Sequence, residues 1–314
     1  MSDWRPSASI ASLRKRAEFL AQLRRFFADK NVLEVDVPVL STTTVSDPNI
    51  ESVQVICNDG NAYLQTSPEY FMKRLLAAGS GDIYYLGKVF RDNERGRKHS
   101  PEFTMLEWYR EGFTDQDLME EVSELVLSQV KNVPLRKVSY RDIFLETLAI
   151  NPHTATAKQI EHLARQHIDC SFESDHKDLW LDVLFTHLIE PNLRHWVFIY
   201  DYPESQGALA KKAHNEHGEK VAKRFELYCD GIEMGNGYWE LTDAKEQRER
   251  FEADLIQRQN IGARALNYDE RILAALEHGL PECSGIAMGV DRMLMLKLGV
   301  SNIAEVLPFK LDGA

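Results

Sequence analysis

Residues 226–240 read ELYCDGIEMGNGYWE, with glutamates at 226, 233 and 240. A spacing of seven suits a helical heptad, but Gly231, Gly235 and Gly237 argue against a helix, since each costs a helix interior about 1 kcal/mol. Asp230-Gly231 is a two-residue hairpin turn, and the flanking Phe225, Leu227, Tyr228 and Ile232 are strand formers. Pairing across the turn sets Cys229 against Ile232, Tyr228 against Glu233 and Glu226 against Gly235. Side chains alternate along a strand, so Glu226 and Glu233 share a face. Glu240 lies an odd number of residues further on, and a bulge at Gly235-Asn236-Gly237 is expected to bring it back to that face. Three carboxylates on one sheet face are either a solvated surface or a site for cations.

The rest of the chain is read outward from this hairpin. Residues 10–30 place Leu13, Ala17, Leu20, Leu23 and Phe27 at helical spacing. The run NVLEVDVPVLS then changes period and predicts a strand through Val32, Val35, Val37 and Val39, with Pro38 at its edge or end. A short strand at 62–66 leads into SPEYFMKRLLAAG, a helix with Ser67 as N-cap, Pro68 at the first position and Glu69 in the first turn. Strands are predicted at 83–91 and from Phe103 onward, joined by the charged loop DNERGRKHSPE. Helices follow at 115–131 and 140–149, and residues 151–195 form a polar, less patterned helical insertion. After the hairpin come a long polar helix capped at Thr242 or Asp243 and a helix stopped by Gly279 and Pro281. CSGIAMGVDRMLMLKLG closes the chain as a strand running into an apolar helix. Strands and helices do not alternate strictly, which favours an α+β fold with a mainly antiparallel sheet flanked by helices.

The totals narrow the function. A chain of 314 residues can bury a full core. A net charge of −12 argues against broad nucleic-acid binding, which needs lysine and arginine for phosphates. No apolar run approaches a membrane span, and the first residues lack a signal peptide's apolar core. The four cysteines, 57, 170, 229 and 283, are scattered without a CxxC pair, so a reducing, cytoplasmic protein is expected. Against this acidic background Arg91, Arg95, Arg97, Lys98 and His99 concentrate positive charge, either as a solvated loop or as a site for a polyanion such as ATP.

FRDNERGRKHSPEFTMLEWY, residues 90–109, resembles motif 2 of the class II aminoacyl-tRNA synthetases, and its H-x-P-E-F-T-x-x-E-x-Y spelling is similar to the lysyl enzymes. The first helix with FFADKNVLEVDVPVLS resembles motif 1, and SGIAMGVDRMLML resembles motif 3. The likeness implies a class II catalytic fold that activates an amino acid with ATP and Mg²⁺. It assigns Arg91 to the α-phosphate and Arg292 to the γ-phosphate, as the catalytic cations. Phe103 would stack on adenine, with Asp92, Asn93, Glu94, His99, Ser100, Met234 and Gly289 also around ATP. Motif 2 carries Asn93 where the family has glutamate, followed by Glu94, so either of the two is the ATP contact. Glu226 and Glu233 would hold Mg²⁺, with Glu233 also touching ATP. Ser67, Pro68, Glu69, Glu107, Tyr109, Asn236, Tyr238, Glu240 and Ala287 would surround the amino acid. Several acids with a tyrosine and no cation in the set point to a diamino acid, because a neutral or acidic substrate would leave them repelling one another.

Motif 1 begins near residue 10, which leaves no room for the anticodon-binding domain that precedes it in lysyl-tRNA synthetases. A single catalytic domain over 1–314 is expected. That architecture, with SPEYFMKRLL and HSPEFTMLEWYR, resembles the stand-alone family of elongation factor P–(R)-β-lysine ligases. The resemblance implies transfer of (R)-β-lysine to a lysine of elongation factor P, without tRNA, by a homodimer. Ala287, where the family motif has glycine, adds a methyl beside the expected amino-acid site and suits a shifted amino group. The alternatives are a truncated lysyl-tRNA synthetase that charges tRNA, a related amide-forming ligase with a small acceptor, and a catalytically dead regulatory paralogue.

Overall fold

The computed structural model describes residues 4–58, 60–130, 133–207 and 209–311. The chain divides into two compact units, Met1–Gly112 with Thr242–Ala314, and Phe113–Leu241.

The first unit opens with α1 (Ile10–Asp29), started by Ser9, whose hydroxyl oxygen accepts the Ser12 N–H. The stripe it buries is Arg16, Phe19, Leu23 and Phe27. The expected stripe is therefore rotated: Ala17 is exposed and Leu13 and Leu20 are only half-buried. The cause is Arg16, a charged residue that faces inward because a buried carboxylate awaits it. Strands β1 (Leu33–Glu34) and β2 (Leu40–Ser41) replace the single strand expected through Pro38. β1 joins one sheet and β2 another, and proline between them has no N–H for a ladder. β3 (Gln54–Cys57) and β4 (Gly60–Leu64) complete the small sheet in the order β2-β4-β3. Helix α2 (Glu69–Ala77) follows, its N-cap being Pro68 rather than Ser67. Ser67 still accepts the Glu69 N–H, at 3.1 Å. β5 (Ile83–Phe90) and β6 (Glu102–Glu111) run antiparallel, as their sequence predicts.

The second unit carries α3 (Asp115–Gln129), β7 (Leu135–Ser139), α4 (Tyr140–Leu148), α5 (Ala157–His167), α6 (Lys177–Leu184) and a π-helical turn, Phe185–Ile189. β8 (Trp196–Pro203), β9 (Lys212–His214), β10 (Lys220–Cys229) and β11 (Ile232–Trp239) complete it. Its sheet runs β11-β10-β8-β7, with β9 also on β10. The polar 151–195 segment has an apolar side: Ile160, Trp180, Leu181 and Leu184 are fully buried against Tyr140, Phe144 and Tyr228.

The chain then returns to the first unit with α7 (Ala244–Asn260), capped by Asp243, α8 (Glu270–Gly279), β12 (Cys283–Gly289) and α9 (Val290–Leu298). Its main sheet runs β1-β5-β6-β12, with only the β1–β5 pair parallel. Thr104, Leu106 and Trp108 of β6 alternate with Phe103, Met105, Glu107 and Tyr109. The first set faces α1, where Phe27 stacks on Tyr84 at 4.5 Å and meets Trp108 edge-on at 5.3 Å. No helix of the described residues is long and apolar enough to cross a membrane.

Candidate active site

In the first unit the open face of β6 carries the candidate ligands. Opposite Met105, Glu107 and Tyr109, β12 sets Gly289, Ala287 and Gly285. Bare backbone and one methyl thus flank a buried carboxylate, leaving that side of Glu107 without bulk. Ser67 donates its hydroxyl to Glu107 Oε2 at 2.7 Å, and the Tyr109 phenol donates to Oε1 at 2.8 Å. From α2, the Glu69 carboxylate lies 2.6 Å from Lys73 Nζ, one helical turn on, and Lys73 is itself 2% exposed. Burial, and then the nearby Glu69 charge, push Glu107 up to about 7. Ser67, Glu69, Glu107, Tyr109 and Ala287, predicted separately from sequence, are therefore brought onto one face. Lys73 was missed. A lysine inside an amphipathic helix gives no sign that it points inward.

The same face continues into the charged loop. Arg91 donates Nε to the Thr66 carbonyl at 3.4 Å, pairs with Glu94 at 3.5 Å and lies over the Phe103 ring at 5.4 Å. Of the two alternatives at the loop turn, Glu94 is the residue beside Arg91. Asn93 is exposed with φ 64°, a left-handed conformation that asparagine tolerates. Asp92 is exposed, its N–H donating to the Glu51 carbonyl, while Ser100 is buried. His99 Nε2 lies 2.6 Å from Arg292 Nη2. Burial and the Arg292 charge hold the imidazole below its ordinary pKa, so the neutral ring accepts from the guanidinium. Gly289 stands just before α9, and a methyl group there would lie against the Arg292 side chain at 3.7 Å.

What holds Arg292 was not legible in sequence. Its neighbour Asp291 accepts Arg16 Nη1 at 2.5 Å and the Thr104 backbone N–H at 2.7 Å, and Arg16 Nη2 also donates to Thr104 Oγ1 at 2.6 Å. One carboxylate, 2% exposed, ties α1, β6 and α9 together. A second tie supports the loop: buried Arg258 of α7 meets the Glu51 carboxylate at 2.5 Å, and the Glu51 carbonyl takes the Asp92 N–H at 2.7 Å.

In the second unit the hairpin forms at Asp230-Gly231, both with positive φ. Tyr228 pairs with Glu233 and Cys229 with Ile232 as expected, but Leu227 opposes Gly235 and Glu226 opposes Asn236, not Gly235. The bulge therefore sits one step earlier than predicted, and Met234 is the extra residue, 1% exposed. Its buried side chain, rather than glycine flexibility, explains the position. The outcome for the face is that expected: Glu226 and Glu233 share it, and Asn236, Tyr238 and Glu240 follow on the same side.

Glu226 is buried and its oxygens are engaged. Arg224 pairs with it, and the phenols of Tyr202 and Tyr228 each donate at 2.5 Å. Arg224 also donates to Asn236 Oδ1 at 3.2 Å, and Asn236 donates to Tyr238 Oη at 3.0 Å. Glu233 is exposed, and Glu240 is 1% exposed where its backbone bridges to Ala210. Glu226 and Glu233 would offer hard oxygen donors of the kind Mg²⁺ prefers, and the ion would supply charge neutralisation there. The fit asks Glu226 to exchange Arg224 or a phenol for the ion.

The family of class II tRNA synthetases (D, K and N) matches residues 1–312. An elongation factor P–(R)-β-lysine ligase of Proteus mirabilis (strain HI4320) is 47% identical, with 98% of each chain covered. Ligases of that name from Salmonella typhi, 45% identical over 99% of this chain and 98% of theirs, and Edwardsiella ictaluri (strain 93-146), 44% identical over 100% and 99%, align equally fully. With motif 2 spanning β5 to β6, motif 3 spanning β12 to α9 and a match along the whole chain, the protein belongs to the class II tRNA synthetase family.

Proposed function

We propose that this chain is an ATP-dependent ligase acting on elongation factor P. It activates a lysine-type amino acid, (R)-β-lysine in preference, and transfers it to the ε-amine of a lysine of that factor. The observation that carries the reading is the buried Glu107, set among Glu69, Ser67 and Tyr109 on a face flanked by Gly285, Ala287 and Gly289. A buried acid whose β12 neighbours are glycine and alanine suits an ammonium group, and full-length similarity to ligases of that name supports the rest.

In the first step a carboxylate oxygen of the amino acid attacks the α-phosphorus of ATP. The phosphoanhydride bond breaks, pyrophosphate leaves with the electron pair, and an aminoacyl-adenylate forms. Arg91 neutralises the α-phosphate and Arg292 the γ-phosphate, fixed charges needing no rearrangement as the transition state develops. Glu94 keeps Arg91 in place, and Phe103 offers its ring to adenine. Neutral His99 orients Arg292. In the second step the acceptor ε-amine attacks the activated carbonyl, an amide bond forms, AMP departs and the amine loses a proton. No covalent enzyme nucleophile is required, and the rate gain comes from positioning. Mg²⁺, held by Glu226 and Glu233, would supply charge neutralisation on the phosphates. Asn236, Tyr238 and Glu240 keep the amino-acid role that the resemblance gives them. The reading includes a cytoplasmic homodimer, one catalytic domain and no tRNA substrate.

The test is the intact mass of elongation factor P after incubation with this protein, ATP, Mg²⁺ and (R)-β-lysine, beside α-lysine and tRNA arms. A gain of one lysine less one water on the factor, strongest with β-lysine, is expected. Lysine attached to tRNA with the factor unchanged would overturn the reading in favour of a minimal synthetase.

A further inference from the structure

If Glu107 takes a substrate ammonium as its counter-ion, as the proposed function has it, its charge state before the substrate arrives has to be accounted for. Glu107 sits mid-strand on β6, between Tyr85 of β5 and Ala287 of β12. The groups that face it within this unit can be named element by element. Helix α2 contributes Glu69 and Lys73; β6 contributes Tyr109; β5 contributes Tyr85; the segment before α2 contributes Ser67. The neighbouring β12 residues Gly285, Ala287 and Gly289 carry no titratable side chain. Among the described residues of this unit named above, two carboxylates and one ammonium are gathered here, with Lys73 Nζ drawn to Glu69 at 2.6 Å. One cation does not balance two buried acids. An uncompensated buried carboxylate is expensive, and such a group takes up a proton instead.

We propose that Glu107 carries a proton before the amino acid binds, and that the arriving substrate ammonium expels it, so that recognition of the amino acid is coupled to release of one proton to solvent. The surrounding hydroxyls suit both states. Ser67 and Tyr109 donate to the carboxylate, and either rotates to accept from the protonated acid. The cationic ligand then replaces a covalently held proton with an ion pair, so no net charge is added to the buried face. A neutral analogue lacking the side-chain amine finds a protonated acid and gains nothing from displacing it. Discrimination for a diamino acid therefore arises from a proton exchange in addition to shape.

With Glu107 pushed up to about 7 when unliganded, proton release per amino acid is expected to be greatest at pH 6 and to fall through pH 7 to pH 8. Protons compete with the ligand, so affinity falls roughly tenfold per unit below about pH 7 and levels off above it.

The experiment is titration calorimetry of (R)-β-lysine and of α-lysine into the full-length protein, with ATP replaced by its non-cleavable α,β-methylene analogue. Heats in phosphate and in Tris, compared at pH 6, 7 and 8, give the number of protons released. Glu69→Gln removes the neighbouring like charge, and the release at pH 7 should shrink. Tyr109→Phe removes a donor that favours the ionised form, and the release at pH 8 should grow. The two variants move in opposite directions, which a structural defect would not do, and either serves if the other fails to fold by thermal melt. Binding with no proton release at any of the three pH values overturns the inference and leaves the substrate reading standing. Failure of both amino acids to bind overturns the substrate reading and this inference with it.

Discussion

Removing the carboxylate of Asp291 should unlock three elements at once. The side chain accepts Arg16 at 2.5 Å and the Thr104 N–H at 2.7 Å, with side chains 2% exposed at Asp291 and 10% at Arg16. Deleting one partner of a buried pair costs about 3–5 kcal/mol, because the surviving charge is left without compensation. The Thr104 N–H also loses its acceptor, a loss of about 1–3 kcal/mol when no water replaces it. These overlap in one network, so about 4 kcal/mol is expected for Asp291→Ala. At roughly 2–4 °C per kcal/mol for units of this size, Tm should fall by about 8–16 °C. The assay is thermal unfolding by circular dichroism, run with Arg16→Met and the double variant Arg16→Met/Asp291→Leu. Since the desolvation cost disappears with both charges, the double variant should be far less destabilised than the two single effects combined. A Tm for Asp291→Ala within about 2 °C of wild type, or strict additivity in the double variant, would show that this pair does not tie the motifs together.

Two other substitutions probe the site directly. Arg91→Ala leaves the fold nearly intact, since its half-exposed pair with Glu94 is worth under about 1 kcal/mol. Amino-acid-dependent ATP–pyrophosphate exchange should nonetheless fall by roughly 10²–10³, the usual cost of removing one preorganised charge-stabilising group; a loss under about threefold would remove Arg91 from the mechanism. Deleting Met234 should turn Asn236, Tyr238 and Glu240 to the opposite face of β11, because a strand's side-chain period is two. That variant should neither accumulate as soluble protein nor support exchange, and normal activity from it would refute the assigned bulge.

The fold was legible where local chemistry decides it. The Asp-Gly turn, the strand–loop–strand of residues 83–111 and the glycine-punctuated strand before α9 each announced themselves through turn residues and period. The difficulties arose where distant partners decide. Arg16 rotated the buried stripe of α1 because its counter-charge is Asp291, 275 residues away. The valine run around Pro38 split between two sheets, a division that alternation alone does not encode. β8, buried on both faces, has no alternation to read, and its run WVFIYDYP follows a segment expected to be helical. The site shows the same division. The candidate acids and arginines could be named because their types suit the chemistry, whereas the roles of Lys73, Arg224 and Arg258 are set by packing partners that the sequence does not announce.

Lys73 and Arg224 share a consequence with Glu94. Glu69 has Lys73, Glu226 has Arg224, and Arg91 has Glu94, so many of the charges offered to a ligand are already paired within the chain. The partners prevent like charges from opening the fold before a ligand binds, since burying an unpaired ion costs several kcal/mol. They also turn ligand binding into exchange. A phosphate at Arg91, as proposed, would compete with Glu94, and a metal ion at Glu226 would compete with Arg224 and two phenols. Exchange adds little net affinity, because one ion pair replaces another, but it penalises any ligand whose charge or geometry cannot replace the internal partner. A site arranged in this way gains discrimination at the expense of tight binding, which would suit the proposed activation of one diamino acid among many neutral ones.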